Sequence, residues 1–145
     1  MAQHSDLQLA SDLRTVLTRL IKKLRRESAT GQHLSLTERS TLSLLYQHNQ
    51  LLPSELAGFE KITNQSMSQI LNHLLELGYI TRTASDTDKR KVLISLTGSG
   101  EKTLLQVRAE RDAWLAKAIR DSCSDEEIDL LKKVVNPLSK MVDHE

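Results

Sequence analysis

Between residues 79 and 96 the apolar residues of this chain stop recurring every three or four positions and begin to alternate. Ile80, Arg82 and Ala84 lead into the polar run Asp86-Thr87-Asp88-Lys89-Arg90, and Val92, Ile94 and Leu96 then alternate with Lys91, Leu93 and Ser95. A period of two belongs to strands with one face covered, so the segment reads as a β-hairpin. Its tip contains neither Asn-Gly nor Asp-Gly and must be longer than a two-residue turn. The segments on either side have helical period. A chain of helices interrupted by one hairpin has few ways to fold, and the helices that precede the hairpin narrow them further.

Leu13, Val16, Leu17, Leu20, Ile21 and Leu24 mark one face of an amphipathic helix over about residues 6–28, which Gly31 then breaks. Ser35-Leu36-Thr37-Glu38 spells a capping box for a helix to about His48, with Leu42, Leu45 and Tyr46 inward. Pro53 opens a short helix to about Glu60, since a missing N–H costs nothing in a first turn. Thr63 caps the next helix, over about 63–77, whose buried stripe is Met67, Ile70, Leu71, Leu74 and Leu77. Gly78 supplies its left-handed stop. Beyond the hairpin, Thr97-Gly98-Ser99-Gly100 restarts helix over about 99–122. Ser124-Asp125-Glu126-Glu127 is a second capping box, and the last helix carries Ile128, Leu131, Val134, Val135, Leu138 and Met141. Pro137 predicts a kink there. No repeat or linker divides the chain, so residues 1–145 read as a single domain.

Several functions are excluded at this level. A chain of 145 residues can bury a core without disulfides or structural metal. Cys123 is the single cysteine, so there is no internal disulfide framework and no cysteine zinc cluster; it fits a reducing compartment. His4, His33, His48, His73 and His144 show no paired ligand spacing, and no metal is expected. Tyr46, Phe59, Tyr79 and Trp114 are too few aromatics for a base-stacking platform. No apolar run approaches the ~20 residues of a membrane span. The first residues lack the features of a signal peptide, and a cytoplasmic location is expected. There is no phosphate-binding glycine loop, nucleophile elbow or zinc-hydrolase motif, so neither an enzyme nor a cofactor is expected. Net charge is only +1, but it is segregated: residues 14–26 carry six cations and no acid, and residues 121–145 carry seven acids. A charge run of this kind is ordinarily a solvated helix face.

The order helix 35–48, helix 53–60, helix 63–77, hairpin 79–96 is that of a winged helix-turn-helix over 35–98, flanked by helical segments 6–34 and 99–145. The fold class is mainly α with a small β-hairpin wing. A DNA major groove admits one α-helix, whose N-terminal polar side chains can reach base edges. Here Thr63, Asn64, Gln65, Ser66, Ser68 and Gln69 occupy the first two turns, with Asn72 one turn on. Asn and Gln can bond adenine through two atoms, and a helix N-terminus favours phosphate. The wing contributes Arg82, Asp88, Lys89 and Arg90. The alternative is a winged helix that binds another protein through the same face. That reading needs neither cations at the wing tip nor a polar helix end.

Ser54-Glu55-Leu56-Ala57, Leu74-Leu75-Glu76-Leu77-Gly78-Tyr79-Ile80, Asp88-Lys89-Arg90 and Leu96-Thr97-Gly98-Ser99-Gly100 follow one another in a spacing that resembles the multiple-antibiotic-resistance regulator (MarR) family of winged helix-turn-helix transcription factors. The resemblance extends over nearly the whole chain. It implies a sequence-specific regulator of double-stranded DNA, by default a repressor. It also implies a two-fold homodimer built from the terminal helices. Arg90 would enter the minor groove with Asp88 steering it; without that context the pair would be a surface ion pair worth ~0–1 kcal/mol. Gln69 stands where the family often has arginine, so a guanine preference does not carry over. Glu60 and Lys61 replace the more usual Leu-Gly before the recognition helix.

A helix over 99–122 would be ~36 Å long at 1.5 Å per residue. Its stripe, with those of 6–28 and 125–142, could be covered by an intramolecular core or by a dimer interface; the resemblance implies the second. Half-sites of a pseudo-palindromic operator would then lie ~34 Å apart. Family members commonly sense small aromatic or phenolic effectors in a cleft between the two regions. Arg14, Arg19, His33 and Tyr46 are candidate polar contributors, each also readable as an ordinary surface or core residue. Some relatives sense oxidants through cysteine. Cys123 lies at the junction of the last two helices among Asp121, Asp125, Glu126 and Glu127, which oppose a reactive thiolate, so an inert structural role is the plainer reading. A ligand-blind repressor is the remaining alternative.

Overall fold

Side-chain caps set most helix starts in the computed structural model, which describes residues 2–145. The elements are α1 (Ala2–Arg26), α2 (Leu36–His48), β1 (Gln50–Leu51), α3 (Pro53–Glu60), α4 (Asn64–Glu76), β2 (Ile80–Ala84), β3 (Val92–Leu96), α5 (Gly98–Ser122) and α6 (Asp125–Val142). Ser35 accepts from the Glu38 N–H at 3.1 Å, and the Glu38 carboxylate accepts from the Ser35 N–H at 2.9 Å. Ser124 and Glu127 repeat the exchange at the start of α6 at 3.2 and 2.9 Å. These reciprocal bonds satisfy donors that a helix start leaves orphaned. Pro53 sits in the first turn of α3. Gly78 closes α4 with φ 77°, a conformation that a side chain would strain. The first helix begins and ends earlier than its apolar stripe suggests. α6 runs unbroken from Asp125 to Val142 with Pro137 inside it.

The hairpin acquires a third strand that sequence reasoning missed. β1 pairs antiparallel with β3 (Gln50 opposite Ser95, Leu51 opposite Ile94), giving the order β1-β3-β2. Two residues are too few to show alternation, so this strand had no signal of its own. On the other side β2 pairs with β3 from Ile80 opposite Leu96 to Ala84 opposite Val92. The tip is closed by the Ser85 N–H to the Lys91 carbonyl, 2.9 Å.

The core lies under the helix-turn-helix. Leu42 and Leu45 of α2, Leu56 of α3, Met67, Leu71 and Leu74 of α4, and Ile94 of β3 are each no more than 1% exposed. Removing such side chains from water stabilises the fold by about 1.5–3 kcal/mol each. Tyr46, expected inward, is 41% exposed. The buried stripe of α2 runs through Glu38, Thr41, Leu42 and Leu45, and Tyr46 falls at its edge with the Arg108 guanidinium 5.3 Å over its ring. The α1–α2 connection is tied down by the Ser28 and Thr30 hydroxyls, which donate to the Glu110 carboxylate at 2.8 and 2.6 Å.

The terminal helices are different. In α1, Leu13, Leu17, Leu20 and Leu24 are half-buried, whereas Val16 and Ile21 are 59% and 52% exposed. α6 buries no residue, with Leu130 61% and Val135 66% exposed. Among the described residues no helix is long and apolar enough to cross a membrane.

Candidate nucleic-acid interface

α4 owes its position to its apolar stripe. Met67, Leu71 and Leu74 turn inward, and helical geometry then places Gln65, Gln69 and Asn72 on the opposite side. All seven polar residues expected at this surface, Thr63, Asn64, Gln65, Ser66, Ser68, Gln69 and Asn72, are exposed. They are not equally available. The Thr63 hydroxyl caps the helix, accepting from the Ser66 N–H at 3.1 Å and donating to Ser66 Oγ at 3.0 Å. The Ser68 hydroxyl donates back to the Asn64 carbonyl at 3.0 Å. These hydroxyls shape the helix end, which leaves the exposed amides of Asn64, Gln65 and Gln69 as its outward polar groups.

Two polar contacts tie α4 to its neighbours, and neither was legible beforehand. His73 Nδ1 is in hydrogen-bond contact with Glu38 Oε2, clasping α4 to α2. Burial raises the affinity of the Glu38 carboxyl for its proton. Bonds from the Ser35 backbone and from His73 outweigh it, holding the group below its ordinary value of 4.5. At the far side Arg82 Nη2 of β2 donates to Asn72 Oδ1 of α4 at 3.0 Å. Arg82 and Asn72 therefore form a strut between wing and helix. Such pairs, 10 and 35 residues apart, have no local periodicity that would announce them.

At the wing tip Arg90 donates to Asp88 three times: Nε to Oδ1 at 3.2 Å, Nη2 to Oδ2 at 3.5 Å, and backbone N to Oδ1 at 3.0 Å. The Arg90 side chain is 91% exposed while that of Asp88 is 30% exposed. The carboxylate thus holds the guanidinium stem and leaves its outer edge to solvent. Lys89 is exposed beside it. Arg90 and Lys91 share a cleft with Pro53, Ser54 and Asn64, so the tip side of the wing and the starts of α3 and α4 line one recess.

The candidate effector residues are not gathered. Arg19 lines a cleft with Lys22, Lys23 and Arg26, and Tyr46 lines another with Leu45, Asn49, Leu96 and Glu101. His33 Nε2 bonds the Tyr79 hydroxyl at 2.9 Å, and Arg14 is exposed on α1. Cys123 is half-buried as the last cap of α5, its N–H donating to the Ile119 carbonyl at 3.0 Å. Among the described residues no three His, Cys, Asp or Glu side chains are grouped as a metal site would need.

A model of the MarR family matches residues 34–92, the segment from the buried Leu34 to the start of β3. An uncharacterised HTH-type transcriptional regulator of Mycobacterium leprae is 30% identical over 139 residues, 96% of each chain. The HTH-type transcriptional repressor YetL of Bacillus subtilis is 31% identical over 110 residues, covering 74% of this chain and 65% of that one. Among solved structures, a proposed transcriptional regulator of Pseudomonas aeruginosa superposes with TM-score 0.81 at 30% identity, covering 97% of this chain and 98% of that chain. The chain belongs to the MarR family of winged helix-turn-helix, DNA-binding transcriptional regulators, and is not an enzyme.

Proposed function

We propose that the protein is a homodimeric repressor that binds a pseudo-palindromic operator and is released by a small aromatic or phenolic molecule. The observation that carries this reading is the solvent-facing polar side of α4 together with an exposed Arg90 held by Asp88 on the wing. Residues 35–98 form the reading unit, with α4 in the major groove and the wing beside the minor groove. Asn64, Gln65 and Gln69 contact base edges; Thr63, Ser66 and Ser68 shape the helix end next to phosphate. Arg90, steered by Asp88 and helped by Lys89, enters the minor groove. Arg82 acts through Asn72, keeping wing and helix in register.

Segments 6–34 and 99–145 form the dimerisation region. Support comes from the exposed apolar faces of α1 and α6, because a single chain rarely leaves large contiguous apolar surface in water. The YetL relative is named a repressor, and blocking a promoter is the simplest way a DNA-bound dimer acts. The DNA target places this work in the cytoplasm. A ligand that changes the separation of the two α4 helices by preferring one spacing would shift the population away from DNA.

Selection of bound fragments from a random DNA library, followed by salt titration of the winner, tests the reading. The expected result is a palindromic site whose affinity falls steeply with salt. Failure to enrich any sequence, with the protein refolded free of small molecules, would leave the protein-binding module as the better description.

A further inference from the structure

Where the end of α1 meets the start of α2, a cavity of about 250 Å³ is lined by Lys22, Arg25, Arg26, Gln32, Leu34 and Arg39. Four of the six lining side chains are cations and none is an acid. Arg39 is 7% exposed. One of its nitrogens, Nη2, donates to the Gly31 carbonyl, while Nε and Nη1 are buried without a partner. Gly31 permits this approach, since a Cβ there would stand 3.1 Å from the guanidinium carbon. Arg111 of α5, outside the lining but close enough to feel the charge of Arg25, has two buried, unpartnered nitrogens of its own. Burial, and then the charge of Arg25, hold it below the ordinary range of an arginine.

Among the described residues, none of Lys22, Arg25, Arg26, Arg39 and Arg111 takes part in an ion pair. The nearby Glu110 is engaged by the Ser28 and Thr30 hydroxyls instead. The carbonyl end of α1 favours cations in its last turn, which accounts for part of the cluster. It does not account for Arg39, which belongs to the first turns of α2, where a helix favours anions. A buried guanidinium with orphaned donors is costly unless an anion meets it.

We infer that this cavity is a binding site for a small polyanion, a di- or tricarboxylate or a phosphate monoester, clamped between Arg39 and the Lys22–Arg26 rim. Guanidinium forks match the oxygen pairs of both groups. The volume lies just below the usual ~300–1,000 Å³ of drug-sized pockets, which selects a compact acid over a multi-ring one. None of the aromatic-effector candidates Arg14, Arg19, His33 and Tyr46 lines the cavity, although Lys22 and Arg26 also border the Arg19 cleft, and the site selects by charge, not by a ring.

Isothermal titration of the full chain with citrate and, separately, with inorganic phosphate at fixed ionic strength tests this. Saturable binding of at least one is expected, and which one saturates separates carboxylate from phosphate recognition. Lys22→Gln/Arg26→Gln, a change of two exposed residues, should weaken binding by at least about tenfold, as loss of a charge-assisted contact implies. Arg39→Gln should abolish it in a chain whose circular dichroism is unchanged; if that variant does not fold, the rim variant decides. No saturable binding, or equal affinity in the rim variant, overturns the proposal. So does a wild type that binds neither probe while the rim variant dissociates as a dimer, because a carboxylate of a second copy would then occupy the site.

Discussion

Adding one methyl group at Gly100 should damage this protein more than its position on a helix suggests. A Cβ at Gly100 would lie 2.0 Å from the Tyr79 carbonyl oxygen and 2.8 Å from its carbon. Both are backbone atoms and cannot rotate away. The same carbonyl accepts from the Thr97 N–H at 3.0 Å, and the Thr97 hydroxyl donates to the Gly78 carbonyl at 2.6 Å. Gly100→Ala must therefore push the start of α5 off the end of α4 and the base of the wing. Alanine gains about 1 kcal/mol of helix propensity over glycine. Against this stand overpacking of about 1–3 kcal/mol and two weakened hydrogen bonds at about 0.5–1.5 kcal/mol each. The net expectation is destabilisation by about 3 kcal/mol. Gly98→Ala is the control: it lies in the same turn with nothing within 4 Å of its Cβ, and should stabilise by about 0.4–1 kcal/mol. Urea unfolding at one protomer concentration would show the midpoint of Gly100→Ala lowered by about 1–2 M. If the two alanines move the midpoint in the same direction, the close approach at Tyr79 is not what fixes this junction.

Other consequences can be measured. Arg90→Ala should weaken DNA binding at physiological salt while leaving the unfolding free energy within about 0.5 kcal/mol of wild type, because the Arg90 side chain is 91% exposed. An unchanged affinity would remove the wing from the interface. Gln69→Ala should relax preference at one symmetric pair of base positions by about 1–3 kcal/mol each, read from selected motifs; an unaltered motif would sink that contact. Because Glu38 holds its proton less tightly folded than unfolded, its contribution is present above its ordinary value of 4.5 and lost as pH falls below it. Acid titration of stability should be shallower in Glu38→Gln, and equal slopes would show that the His73 clasp does not act on stability. Sedimentation at micromolar concentration should give a dimer, and a stable folded monomer would contradict a shared helical region.

Much of this architecture was legible because its signals are local. Ser35 with Glu38, Ser124 with Glu127, and Thr63 with the stripe beginning at Met67 each announce a helix within one turn. The wing was visible as a change of period. What escaped depends on residues distant in sequence. β1 exists because β3 is there to receive it, Tyr46 turned outward because the α2 stripe stops at Leu45, and the Glu38–His73 clasp joins two helices. The polar residues of α4 could be picked from the sequence, but their division into capping hydroxyls and outward amides could not. That division follows from which donors the helix end leaves orphaned.

The shortest strand has the widest reach. By pairing Gln50 with Ser95, β1 ties the segment just before α3 to the one just before α5 and encloses α3, α4 and β2 in a single loop. Loops closed this way gain and lose structure as units. Amide protons throughout this loop should exchange with solvent in one cooperative opening, at the same denaturant concentration. Those of α6, which buries nothing within its own chain, should exchange at a rate set by protein concentration. The molecule would then have two melting points of different kinds, one belonging to the chain and one to its company.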